Sequence, residues 1–163
     1  RSHGMTSLSW DRCQGHANSY DVVALGYNYR FDEIRAALGI VQLSKLNENN
    51  RKRKILYDNY VKLLKGIKGV KIPFLARQQK ASYHIFPILL ESKLLRNRLQ
   101  DYLALNNIQS SIHYPPAHLM KIYSKLKTWV LPITEAVAGR QLTLPLHPGL
   151  RLNDTERIVW MCI

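Results

Sequence analysis

The side chains of this sequence best suited to chemistry are imidazoles. His113-Tyr-Pro-Pro-Ala-His118 sets two of them five residues apart around a stiff Pro-Pro turn, which could present both to a ligand or, less readily, to a metal. A histidine satisfied within the fold is the competing reading at each position. Two histidines with no neighbouring carboxylate or thiol make a poor metal site. Cys13 and Cys162 stand far apart without Cys-x-x-Cys spacing, so neither zinc nor a disulfide framework is expected. The local signatures of other chemistries are absent from the string of residues. It has no nucleophile elbow for a Ser-His-Asp arrangement, no Gly-x-Gly-x-x-Gly turn and no Gly-Lys-Ser/Thr phosphate loop.

Charge is the second feature that asks for a chemical reason. The formal net charge is +13, and from Lys45 to Lys80 eleven Lys or Arg face only Glu48 and Asp58, centred on Arg51-Lys-Arg-Lys54. A basic helix can bind nucleic acid, but no helix-turn-helix, zinc-finger or RNA-recognition signature accompanies the run. We read it as a solvated helix face and expect no nucleic-acid partner.

The elements that must position these groups follow from periodicity. Residues 1–30 carry Gly4, Gly15 and Gly26 among Ser, His, Asn and Tyr and read as an irregular arm, with Trp10, Tyr20 and Tyr27 suited to packing on a neighbour. From Phe31 onward Phe31, Ile34, Leu38 and Val41 recur at helical spacing. Ile55, Tyr60, Leu63 and Leu64 resume an apolar side before Gly66 and Gly69 end the helix. Asp32 and Glu33 favour the positive end of that helix. Val70–Phe74 reads as a short strand or turn and Tyr83–Leu90 as a strand that Pro87 confines to an edge or bulge.

A helix is expected over Leu94–Leu105 with Leu95, Leu99, Tyr102 and Leu103 on one side, stopped by Asn106-Asn107. Ile108–Tyr114 is strand-like, and alternation puts Ser111 and His113 on one face, Ile112 and Tyr114 on the other. Short helices over Leu119–Leu126 and Thr134–Gln141, the latter preceded by Pro132, come before a third strand, Leu142–His147. Asn153-Asp-Thr-Glu156 matches the reciprocal capping pattern for a last helix whose buried side is Ile158, Val159 and Ile163. Helices alternating with few strands describe an α/β layer packing with one small sheet.

At 163 residues the chain has the length of one domain, and roughly 70% of its unfolded surface could be buried on folding. No apolar run approaches the ~20 residues of a membrane span. A reducing cytoplasm is the expected location, with no membrane partner. The chain begins at Arg1 with no basic-then-apolar leader, which suggests a piece of something longer.

Three strings near the start carry a resemblance: Arg1-Ser-His-Gly-Met-Thr6, Gly26-Tyr-Asn-Tyr-Arg30 and Asp32-Glu-Ile-Arg-Ala-Ala-Leu-Gly39. With Tyr83-His-Ile-Phe-Pro87, Ser111-Ile-His-Tyr-Pro115, Pro132-Ile-Thr-Glu135 and Leu142-Thr-Leu-Pro-Leu-His147, they resemble, in order, the DegT/DnrJ/EryC1/StrS sugar aminotransferases of the aspartate-aminotransferase fold type. The resemblance covers essentially the whole chain. It implies a C-terminal small domain over residues 31–163, including a long linking helix, with residues 1–30 as an arm at a cofactor and dimer interface.

The resemblance also implies pyridoxal 5'-phosphate as cofactor, a homodimer, and amino transfer from a donor such as glutamate to a nucleotide-linked keto-sugar. Asn28 and Arg30 would contact the cofactor phosphate of the partner subunit, and an amide N–H and a guanidinium are strong phosphate donors. His84, His113, Tyr114 and His118 would bind the nucleotide-sugar substrate, His113 foremost. The Schiff-base lysine that such enzymes carry before the Arg-Ser-His-Gly string is absent from this chain. No catalytic residue is therefore assigned, and the chain alone is expected to be inactive. A non-catalytic nucleotide-sugar or partner-binding module is the alternative.

Overall fold

The computed structural model describes residues 2–6, 14, 21–75, 81–126 and 130–162. Trp10, Tyr20 and Ile163, singled out above, lie outside them. The chain divides into two compact units, Arg1–Leu46 and Asn47–Ile163.

In the first unit, backbone pairing brings two of the family-like strings together. Val23 N–H donates to Gly4 O at 3.0 Å, Thr6 N–H to Asp21 O at 2.8 Å and His3 N–H to Tyr27 O at 3.3 Å, around an antiparallel bridge between Met5 and Val22. Two glycines make this approach possible. A Cβ on Gly4, which has φ +74°, would collide with the carbonyl oxygen of Ala24, and one on Gly26 would collide with the amide nitrogen of Gly4.

The predicted long helix is one continuous element, α1, over Glu33–Leu64. Its N-terminus is capped by Asp32, whose Oδ1 accepts from Arg35 N–H at 2.8 Å, so the acidic start serves the helix as expected. In the first unit its apolar stripe of Phe31, Ile34, Leu38 and Val41 is exposed, Ile34 at 83%.

The second unit is built on a three-stranded antiparallel sheet in the order β1 (Val70–Lys71), β2 (Phe86–Leu90), β3 (Gln141–Leu144). Phe86, Ile88 and Leu90 alternate onto the core face, where they join Leu142 and Leu144 of β3. The closing part of α1 contributes Tyr60 and Leu64, and Leu56 is buried with them. These three are spaced by four, one narrow helical stripe. Ile55, expected there, lies off that stripe and is 44% exposed. Gly66 and Gly69, at φ +89° and +85°, turn the chain out of the helix as predicted.

Pro87 was expected at a sheet edge, yet β2 is the middle strand. The register explains why this is tolerated. Pro87 pairs with Thr143, whose N–H and C=O both turn the other way, to Ser111, at 2.7 and 3.1 Å. Pro87 and Thr143 therefore form a non-hydrogen-bonded pair, and the missing N–H of Pro87 belongs to the side where β1 stops short, at Lys71 opposite Leu89. Pro87 occupies a local edge within a central strand.

Helix α2 (Lys93–Leu105) is capped by Ser92, whose Oγ accepts from Leu95 N–H at 3.2 Å, and ends at Asn106 as predicted, with Asn107 at φ +59°. Its buried line runs through Arg96 and Leu103, with Leu99 partly covered, rather than through Leu95 and Tyr102, which are exposed. The strand expected over Ile108–Tyr114 reduces to the single bridge between Ser111 and Thr143. The next rung would pair His113 with the Gln141 backbone, but the Gln141 side chain takes the His113 N–H instead, at 3.1 Å.

Leu119–Leu126, expected as one short helix, forms two 3-10 turns, Ala117–Leu119 and Lys121–Leu126. Helix α3 (Pro132–Arg140) carries Pro132 in its first turn, where no amide donor is needed, and Gln141 has already left it for β3. The last helix, α4 (Leu152–Trp160), buries Thr155, Ile158 and Val159. The expected reciprocal cap between Asn153 and Glu156 does not form, because the helix starts at Leu152; instead Asp154 Oδ2 accepts from Arg151 N–H at 2.9 Å.

Candidate functional site

A cleft of about 560 Å³ opens in the second unit where the end of β3 meets the segment after α2 and one side of α4. The segment leaving β3 is fixed from beneath. The buried phenol of Tyr60, its ring 4.7 Å from that of Phe86, donates to Pro145 O at 2.9 Å. Burial holds that hydroxyl protonated by pushing its pKa well up, so it serves as a donor throughout the working pH range.

Of the residues expected to bind substrate, His84 and His113 line this cleft, together with Ser111. Tyr114 is not among the residues that line it. Tyr114 is 71% exposed and packs edge-on against the His113 ring at 4.9 Å. His118 is also outside the cleft lining. Its Nε2 meets Glu135 Oε1 of α3 at 3.0 Å, an interaction that holds the Glu135 carboxyl below the usual carboxylate range. Asn28 and Arg30 belong to the first unit. Asn28 Oδ1 accepts from Arg30 N–H at 3.1 Å, which occupies the amide oxygen and leaves the amide NH₂ as the outward donor.

His113 is oriented by residues that pattern reading did not select. Gln141 Oε1 accepts from His113 N–H, which fixes the amide so that its NH₂ donates to Thr143 Oγ1. The Thr143 hydroxyl, accepting from Gln141, also hydrogen-bonds His113 Nδ1 at 3.0 Å. Gln141 and Thr143 are both buried, so each of these partners matters to the other. His147 and Arg157 complete the cleft wall and were likewise missed as site residues. The Pro-Gly turn after His147 was a visible signal for the first, and nothing in the local sequence marked the second. Among the described residues, no group of three or more His, Cys, Asp or Glu could hold a metal ion.

The cleft of this α/β domain is lined by imidazoles, amides and a guanidinium together with apolar side chains. The chain belongs to the DegT/DnrJ/EryC1/StrS aminotransferase family, which it matches over residues 1–162. It is similar to the dTDP-3-amino-3,6-dideoxy-alpha-D-galactopyranose transaminase of Aneurinibacillus thermoaerophilus, at 31% identity over 91% of this chain and 40% of that protein. Among solved structures it superposes on Helicobacter pylori PseC, an aminotransferase of pseudoaminic acid biosynthesis, with TM-score 0.83 and 27% identity over 99% of this chain and 42% of that one. The sugar aminotransferase CalS13 of Micromonospora echinospora superposes with TM-score 0.85 at 25% identity, over 99% and 42% of the two chains. The chain thus spans well under half the length of these relatives. No helix among the described residues is long and apolar enough to cross a membrane.

Proposed function

We propose that this chain is the C-terminal part of a pyridoxal-phosphate-dependent sugar aminotransferase that moves an amino group, from a donor such as glutamate, onto the keto carbon of a nucleotide-linked sugar. The donor amino acid leaves as its 2-oxo acid, and the keto-sugar becomes an amino-sugar. The observation that carries the reading is the cleft itself, whose lining includes His84 and His113, each within one of the family-like strings, with His113 oriented by Gln141 and Thr143. In this proposal His113 and His84 hydrogen-bond the sugar nucleotide, with Tyr114 and His118 as further contacts on the same part of the small domain.

Pyridoxal phosphate, when bound, supplies the carbonyl that captures the amine and the electron sink that lets the substrate carbon lose its proton. The donor set of the first unit suits its phosphate. Asn28 has its amide NH₂ outward and Arg30 follows two residues on, so these two residues would hold the phosphate of the partner subunit in a homodimer. The exposed side chains of Phe31, Ile34 and Leu38 support a surface covered in the assembled protein. The chain contributes binding and positioning but no cofactor-anchoring lysine, and in this proposal it is inactive alone in the cytoplasm.

The test is transaminase assay of this chain and of the longer gene product, each with pyridoxal phosphate, glutamate and a panel of nucleotide-linked keto-sugars. Formation of 2-oxoglutarate and amino-sugar by the longer product only is the expected result. Turnover by this chain alone would overturn the supporting role, and no turnover by either with any nucleotide-sugar that binds would favour the non-catalytic binding module.

A further inference from the structure

A groove of about 470 Å³ in the second unit shares no lining residue with the cleft and serves none of the roles proposed above. One wall is α2, which contributes Leu95, Leu99 and Tyr102; the other is the turn into β1 with Val70, beside Leu90 at the end of β2. Leu95, Leu99 and Tyr102 recur at four and three residues, a single stripe roughly 10 Å long on the helix surface. Helical spacing selected this stripe for burial, yet Leu95 is 40% and Tyr102 50% exposed, while the buried line of α2 runs through Arg96 and Leu103. Each wall also carries an exposed cation, Lys68 on the turn and Arg98 on α2, and neither makes an ion pair among the described residues. Glu91 is the carboxylate of the lining. It lies against Gly69, its carboxyl 3.6 Å from where a Cβ would stand, and pairs with neither cation.

An apolar floor with an unneutralised cation on each wall is complementary to an apolar stripe flanked by carboxylates. A helix fits that pattern, because α2 offers a ridge of side chains along its axis against which a second helix can lie and cover Leu95 and Tyr102. A second copy of this chain does not supply such a segment. Its net charge is +13, and Asp32, Glu48, Asp58, Glu135 and Asp154 are each engaged by a basic side chain of the chain itself. We infer that the groove docks an acidic amphipathic helix of a different protein, its apolar face on Leu95, Leu99 and Tyr102 and its carboxylates on Lys68 and Arg98. This role uses no residue of the cleft and does not depend on the sugar-aminotransferase reading.

The probe is a fluorescein-labelled synthetic peptide with leucines along one helical face and glutamates on both flanks, titrated into the 163-residue chain by anisotropy. A second peptide carries lysines in place of the glutamates. The variants are Arg98→Glu, Lys68→Glu and Leu95→Asp in the groove, with Lys45→Glu and Leu38→Asp in the first unit as controls for diffuse charge and for the exposed stripe of α1. The expected result is saturable binding of the glutamate peptide only, with shifted amide signals for Val70, Leu99 and Tyr102. Each groove variant, folded by circular dichroism, should weaken it by roughly fivefold or more, and neither control should change it. Absence of saturable binding, binding of the lysine peptide to the same extent, or equal weakening by a control variant overturns the docking site. Two further outcomes overturn the protein partner in favour of another occupant. One is Arg98-dependent displacement of the peptide by phosphatidylglycerol vesicles, which would point to an anionic membrane surface. The other is self-association in sedimentation that Arg98→Glu abolishes, which would point to a second copy of the chain.

Discussion

Thr143→Val tests the network that orients His113 with almost no change in side-chain volume. The hydroxyl it removes accepts from Gln141 and hydrogen-bonds His113 Nδ1, and both Thr143 and Gln141 are more than nine-tenths buried, at 5% and 6% exposure. The loss leaves a buried amide donor and an imidazole nitrogen unpaired, at roughly 1–3 kcal/mol for an unsatisfied buried polar group. Valine recovers little of this, because the site is shaped for a hydroxyl. With a urea dependence of about 2 kcal/mol per molar for a domain of this size, the midpoint of unfolding should fall by roughly 0.5–1.5 M. In ¹⁵N-resolved imidazole spectra at pH 8, the wild-type His113 should show a single tautomer fixed by Thr143, and the variant should show a mixture. A tautomer mixture in the wild type, or a variant with an unchanged midpoint and tautomer, would refute the role of Thr143 in orienting His113.

Gly26→Ala places a methyl group against the Gly4 backbone, so it should shift the amide signals of Tyr27 to Arg30 and lower the melting temperature; an unperturbed spectrum counts against the close approach of the two strings. Arg96 is 6% exposed with its Nε unpartnered among the described residues, so Arg96→Met should leave stability unchanged or raise it by up to ~2 kcal/mol, and a loss above 1 kcal/mol in urea unfolding would show a partner for its charge. The Asp154 carboxyl is held below its ordinary range by Arg151, a contribution present above the unfolded-state pKa and lost as pH falls through the folded-state value. Amide protection at the start of α4 should therefore drop below about pH 4 in wild type but not change with pH in Asp154→Asn. Burial pushes the Cys162 thiol up to about 12, so iodoacetamide at pH 8 should label it on the order of a thousandfold more slowly in the native protein than after denaturation; equal rates would contradict its burial.

The parts legible from sequence were those governed by local rules. Helical spacing and two glycines located α1 and its end, and Pro132 and Asn106 marked a helix start and a helix stop because φ restriction and capping act within a turn. The strings that indicated the family were legible because each is short and their order is preserved. Alternation along Ser111-Ile-His-Tyr114 put Ser111 and His113 together, and both line the cleft, but it did not part His113 from Tyr114, whose rings touch, because the segment forms one bridge instead of a strand.

Other features depend on partners distant in sequence. Whether Pro87 is tolerated in a middle strand depends on Ser111 drawing the hydrogen bonds of Thr143 to its other side and on β1 ending at Lys71. Helix α4 starts at Leu152, where Asp154 takes the Arg151 N–H, rather than at the pattern beginning with Asn153. Which nitrogen of His113 carries its proton depends on Gln141 and Thr143, 28 and 30 residues away. By itself the sequence determined the helices, their punctuation, the family and the residue types that could meet a phosphate-bearing ligand. Only the tertiary structure decided that His84, His113, His147 and Arg157 share one cleft while His118 turns to Glu135. The physical reason is that propensity and capping are set within a few residues, whereas a binding site is made of side chains whose proximity exists only after the sheet register and helix packing have closed the chain on itself.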